Sequence, residues 1–133
     1  MIIDSSAILA ILRSEPEYTE FMRLLEQTTR RSMSAANLLE AGIVVDGTRK
    51  ARLSRELDQF IQEWRIVIEP FTAEQARIAR EAYRDFGKGS GHPAQLNFGD
   101  CFAYALAKDK REPLLFKGDD FRHTDVEHAI TRT

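Results

Sequence analysis

Four short apolar runs, each separated from the next by one or two segments of helical period, constrain this chain more than any other feature. Met1-Ile2-Ile3, Arg31-Ser32-Met33, Ile66-Val67-Ile68 and Leu114-Leu115-Phe116 are too short for helices, and the second is the weakest of them. Between the runs, apolar residues recur at i, i+3 and i+4. Ser5 or Ser6 is placed to cap a helix through Ala7, Ile8, Ile11 and Leu12, and Phe21, Leu24 and Leu25 mark a second. Ser34 is placed to cap a helix from Ala35 to about Thr48, followed by a stripe of Leu53, Leu57, Phe60, Ile61 and Trp64. Thr72 with Gln75 has capping-box spacing ahead of a helix through Tyr83, and Asn97 heads one carrying Phe102, Ala105 and Leu106. Strands joined through helices must run parallel. The expected class is therefore α/β, with three α/β/α layers around a central, mainly parallel sheet of four to five strands. The 133 residues fit a single domain, 1–133.

Composition removes several function classes. One cysteine, Cys101, excludes an internal disulfide framework and a Cys-rich zinc site. No apolar run approaches the ~20 residues that span a bilayer, so no membrane partner is expected and the reading is of a soluble protein in a reducing cytoplasm. The formal net charge of −2 argues against nucleic-acid binding by bulk positive charge.

An open parallel sheet puts its chemistry beyond the carboxyl ends of its strands. Asp4 follows the first run, and Asp119-Asp120 follow the last. Glu40 lies beside an apolar helix face, with Ala36 at i−4 and Ile43 and Val44 at i+3 and i+4. Asp100 is in the first turn of the Asn97 helix. Each acid also has a plain structural role. Asp4 suits a helix N-terminus, Asp100 suits the N3 position of a capping box, Glu40 suits a boundary residue reaching for water, and Asp119-Asp120 suit a turn after Gly118. Their joint placement on one edge favours chemistry. Gathered carboxylates raise one another's pKa, and a hard divalent cation relieves that repulsion. Mg²⁺ prefers oxygen ligands, Mn²⁺ accepts a similar set, and such a site suits hydrolysis of a phosphodiester.

The residues that carry these acids resemble a known family. Met1-Ile2-Ile3-Asp4-Ser5-Ser6-Ala7, Ser34 through Leu39-Glu40, and Pro113-Leu114-Leu115-Phe116-Lys117-Gly118-Asp119-Asp120-Phe121 resemble segments of PIN-domain ribonucleases, in the VapC toxin branch of toxin–antitoxin systems. The most specific block comprises Phe86-Gly87-Lys88-Gly89, His92-Pro93-Ala94 and Leu96-Asn97-Phe98-Gly99-Asp100-Cys101-Phe102-Ala103-Tyr104-Ala105-Leu106-Ala107. The resemblance spans essentially the whole chain. It implies a PIN-like fold, Mg²⁺- or Mn²⁺-dependent cleavage of RNA, a homodimer, and inhibition by a cognate VapB-type antitoxin in a bacterial cytoplasm. Asp4, Glu40 and Asp100 fall on the family's three acids. Where many relatives carry a fourth acid this chain has Gly118, which leaves the role to Asp119 or Asp120. The resemblance makes Asp4 and Asp100 the principal metal ligands. Glu40 would orient or help deprotonate the attacking water, and Asp119 or Asp120 would complete the cluster directly or through water.

Around the cluster, Ser6, Lys88, His92 and Lys117 are candidates to contact RNA, with Lys108 and Arg111 on the same expected edge. Leu57, Phe60, Ile61 and Trp64 read either as core or as a stripe that an antitoxin helix covers. Cys101 reads as a small buried hydrophobe. Two other functions compete: a degenerate PIN-like module that binds RNA or a partner without cutting, and a phospho-acceptor signalling domain. The first requires a broken acid set. The second wants paired acids near the first strand, where this chain has one Asp and two Ser. With four acids assigned to a metal, the remaining surface is about neutral to slightly basic, so the net charge does not exclude RNA.

Overall fold

Residues 1–131 are described here, from a computed structural model. The elements follow in the order β1 (Ile2–Ile3), α1 (Ser5–Leu12), α2 (Tyr18–Gln27), β2 (Ser32–Ser34), α3 (Ala35–Gly47), α4 (Ala51–Glu63), β3 (Val67–Glu69), α5 (Ala73–Phe86), α6 (Phe98–Lys110) and β4 (Leu114–Leu115), then a 3₁₀ turn over Asp120–His123. The four strands form one parallel sheet in the order β3-β2-β1-β4. A parallel bridge between Leu114 and His128 extends the β4 edge. β2 and β3 each begin one residue later than the apolar runs suggest, and β4 stops before Phe116.

Side-chain alternation along the strands builds the three layers. Ile2 and Leu114 are register partners and face the core of α5 and α6, with Ala79, Ala82, Leu96, Ala105 and Leu106. Ile3 and Leu115, the next pair, face the opposite core of α1 to α4, with Ile8, Phe21, Leu25, Met33, Ala41, Leu57 and Phe60. Every one of these residues is under a tenth exposed.

Chain order makes β1 the pivot of the sheet. The chain leaves β1 for β2 and β3 on one side, then returns through α5 and α6 to lay β4 on the other. Strand order thus reverses between β1 and β4, and a crevice opens there beyond their carboxyl ends. Asp4 and the 116–120 segment emerge into it. Gly118 turns the chain after β4 with a φ of 100°, a left-handed conformation that disfavours any residue with a Cβ. That conformation gives the physical reason for a glycine at this position.

Candidate active site

Local rules place the four acids. Asp4 ends β1 and is itself the N-cap of α1, its Oδ2 accepting from the Ser6 amide at 3.0 Å. This corrects the expectation that Ser5 or Ser6 caps that helix. Both serines are freed for other work: Ser5 Oγ donates to Glu40 Oε1, and Ser6 Oγ accepts from the Lys117 amide at 2.9 Å. Ser34 and Asn97 cap α3 and α6 as the sequence suggests. Asn97 and Asp100 form a complete capping box, with both bonds at 2.9 Å. Asp100 therefore holds its structural role and still faces the crevice. The Thr72–Gln75 box is only half made, because the Gln75 carboxamide donates to Asp109 at 3.0 Å instead.

Asp4, Glu40, Asp100 and Asp120 line one cleft of about 280 Å³, together with Ser5, Ser6, Asn97 and Lys117. The pair left open by the sequence is separated here. Asp120 lines the cleft with Asp100, and its charge helps raise the Asp100 carboxyl. Asp119 points away, with its side chain 85% exposed and Oδ1 2.9 Å from Arg122 Nε. Burial raises the Asp4 carboxyl to about 6, against hydrogen bonds from Ser6, and the Glu40 charge adds to the rise. Burial also raises Asp100, to about 7, with Asp4 and Asp120 pushing the same way and the Asn97 amide opposing. Asp4 is only 2% exposed, and its Oδ1 is buried without a hydrogen-bond partner.

Glu40 is held by residues that local pattern did not single out. Asn37 is fully buried and donates through Nδ2 to Glu40 Oε1 at 3.3 Å and to the Gly99 carbonyl at 3.0 Å. A Cβ on Gly99 would land on the Glu40 carboxylate. Ser5, Asn37 and Gly99 thus fix one carboxylate from three elements. The i, i+3 spacing of Asn37 and Glu40 was the available signal. Nothing local marked Gly99.

The structure separates the remaining candidates. Lys117 lines the cleft, but its ammonium also pairs with Glu15 and, at 3.3 Å, with Glu17. Lys88 is exposed on the loop after α5 and is not among the cleft residues. His92 packs edge-on against Phe86 at 4.9 Å, and its Nδ1 accepts from the Ala94 amide, which makes it a loop anchor. Lys108 pairs with Asp125 at 3.0 Å, and with Arg111 it lines a different hollow. Of these candidates, Ser6 and Lys117 line the acid cleft, and Lys88, His92, Lys108 and Arg111 do not. Leu57 and Phe60 are 4% and 8% exposed inside the α1–α4 core, with Ile61 and Trp64 partly buried against it, so this stripe serves the chain's own packing. On the neighbouring α3, by contrast, Leu39 and Ile43 are 65% and 64% exposed. Cys101 is buried, and burial lifts its thiol to about 11, so it is protonated and packs as a hydrophobe.

Among the described residues, no three carboxylates, histidines or cysteines stand close enough to hold an ion as placed. The cleft nevertheless fits a hard cation on two counts. Its donors are carboxylate oxygens, and Asp4 Oδ1 is a buried acceptor with nothing to bind. Among the described residues no helix is long and apolar enough to cross a membrane.

Comparison with known proteins identifies the family and the fold. A family profile described as the PIN domain matches residues 1–127. The chain is 56% identical over 132 residues to Ribonuclease VapC28 of Mycobacterium tuberculosis, covering 99% of both chains. It is 45% identical over 131 residues to Ribonuclease VapC42 of the same species, covering 98% of this chain and 100% of the relative. Among solved structures, VapBC2 from Rickettsia felis bound to a promoter DNA fragment superposes with a TM-score of 0.76 at 17% identity, over 96% and 95% of the two chains. M. tuberculosis VapC20, a toxin that cleaves the sarcin–ricin loop, gives 0.72 at 14% identity over 94% and 95%. At such identities these two structures establish the shared fold.

Proposed function

The chain belongs to the PIN-domain family, in its VapC ribonuclease branch, and on that premise we propose that it is the toxin of a type II toxin–antitoxin pair. It acts as an endoribonuclease that needs Mg²⁺, or Mn²⁺ in its place, in the bacterial cytoplasm. A cognate VapB-type antitoxin restrains it, and it works as a homodimer. One PIN domain spans 1–133, of which 132–133 lie outside the described residues. The observation that carries the reading is the convergence of Asp4, Glu40, Asp100 and Asp120 on one cleft at the strand-order reversal.

Asp4 and Asp100 would hold the cation, with Asp120 completing the set beside Asp100. The cation, when bound, neutralises charge at the scissile phosphodiester and promotes ionisation of the attacking water. The protein's own residues do the rest. Ser5 and Asn37 occupy Oε1 of Glu40, which orients the carboxylate to accept the proton of a water in the cleft. Ser6 ties the Lys117 amide to α1 and so sets the distance between the two segments that carry Asp4 and Asp120. The intact acid set speaks against the non-cutting module. The apolar surface of Leu39 and Ile43, flanking Glu40, suits a protein partner.

The test is cleavage-site mapping on total RNA with Mg²⁺, with Mn²⁺, with EDTA, and with Asp4→Asn in the presence of Mg²⁺. Discrete cuts that vanish in the last two conditions are expected. Metal-independent cuts, or wild-type cutting by Asp4→Asn, would sink the proposal.

A further inference from the structure

The first turn of α6 divides two unlike clefts. Asn97 and Asp100 face the acids, whereas Phe98, Cys101 and Phe102 line a second hollow of about 320 Å³ between α5 and α6. The second hollow is aromatic. Phe98 is 77% exposed, the largest exposure of any big apolar residue among those described. Its ring meets Phe102 edge-on at 4.8 Å, and Phe102 meets Phe71 in the same way at 4.8 Å. Tyr83 forms part of the wall, its hydroxyl donating to the Lys88 carbonyl at 3.2 Å. Arg80 stands exposed at the edge.

An exposed phenylalanine is common, but this one is buttressed. Asn97 caps the helix directly before it, and two further rings fix its face, so little freedom is lost when a flat partner stacks there. The hollow is of a size that takes a small planar group. We infer that it is a nucleobase subsite, in which Phe98 stacks a base of single-stranded RNA next to the phosphodiester held by the acids. The inference rests on the ribonuclease reading of the acid cleft. Three observations favour RNA over a second protein chain here. The hollow lies across the same first turn of α6 from the acid cleft, with Phe98 next in sequence to Asn97 and Cys101 next to Asp100. Its walls are aromatic and concave. Arg80 adds positive charge where a backbone phosphate would pass. Stacking tolerates any base, so Phe98 contributes affinity and register more than sequence choice.

The test uses an Asp4→Asn background, which does not cut, and two probes of equal length: a short single-stranded oligoadenylate and its abasic ribose-phosphate counterpart. Phe98→Ala should weaken oligoadenylate binding by about tenfold and leave abasic binding unchanged. Phe98→Trp should keep the affinity, and Phe98→Leu should behave like Phe98→Ala. Because the residue is exposed, none of these changes threatens the fold, and the mass in solution should stay the same. Equal losses on both probes, no loss on either, or a fall in molecular mass that marks the patch as a contact between copies would each overturn the subsite. Magnesium-dependent RNA cleavage by the chain with its native Asp4 keeps the ribonuclease reading intact in all three cases. Absence of that cleavage removes both.

Discussion

The two sides of the α6 N-terminus are unfinished in opposite ways. On one side four carboxylates crowd a cleft, two of them with raised pKa, and one buried oxygen has no partner. On the other side three phenylalanines pack edge to face, and one of them stands almost free of cover. The first side is short of positive charge and the second of apolar contact. A nucleotide with a divalent cation supplies both, phosphate and metal to the acids and base to the rings. Electrostatic strain and exposed apolar surface, set one helical turn apart, match the two halves of one ligand.

The strongest way to break this contrast is to neutralise the acid side without changing its shape. Asp4→Asn and Asp100→Asn should reduce metal-dependent RNA cleavage to background. Both should also fold, because asparagine caps helices as well as aspartate and still accepts hydrogen bonds. Without metal at neutral pH, each variant should melt no lower than the parent, since a buried like-charge contact is gone. Loss of activity together with loss of the folded state would show that these acids serve structure alone.

A smaller effect should follow from disturbing what holds Glu40. Gly99→Ala pushes a methyl group into the Glu40 carboxylate, and Asn37→Ala removes its buried donor. Each should lower kcat by about 10–100-fold, the range seen when groups that orient metal-site residues are removed. KM should change little, because the phosphate and base contacts remain. A packing role alone would lower thermal stability and leave kcat per folded molecule unchanged.

Next in size is a pH dependence peculiar to the metal-free protein. The folded-state pKa values of Asp4 and Asp100, about 6 and about 7, lie above the ordinary aspartate value. Unfolded chains therefore release these protons first. Stability is greatest below about pH 4 as far as these two groups are concerned, falls as pH rises, and has lost their contribution above about pH 7. The melting temperature in EDTA should drop by several degrees between about pH 5 and pH 8. Saturating Mg²⁺ should flatten that slope by favouring the ionised form, as should Asp4→Asn in part. A flat curve in EDTA would contradict the buried-acid description.

The layered fold was legible because it rests on local period. The Ile2-Ile3 and Leu114-Leu115 pairs each divide their residues between two cores, and both were visible as short apolar runs flanked by caps. Asp4 and Asp100 were legible for the same reason, since the end of a strand and the first turn of a helix are local features. What stayed hidden depends on distance along the chain. The meeting of Gly99 with Glu40 spans α4, β3 and α5, and Phe71 meets Phe102 across α5, although Phe98 and Phe102 themselves stand at i, i+4 on α6. The Leu57–Trp64 stripe shows the converse limit. Helical spacing says that a face is buried but not by what, and here the chain's own core buries Leu57 and Phe60.

The smallest predicted difference is also the sharpest, because it concerns adjacent residues of one type. Gly118 turns the chain left-handed, and the 3₁₀ turn beginning at Asp120 then sends successive side chains in different directions. Asp120 enters the acid cleft beside Asp100, while Asp119 pairs with Arg122 at the surface. An exposed pair of that kind contributes about 0–1 kcal/mol. Asp119→Asn should therefore leave cleavage within about twofold of the parent. Asp120→Asn should cut activity severely and lower the Asp100 pKa by removing a like charge, measurable by NMR titration in EDTA. Equal effects of the two substitutions would mean that the segment after Gly118 reorganises when metal and RNA bind, with Asp119 and Asp120 both reaching the cluster.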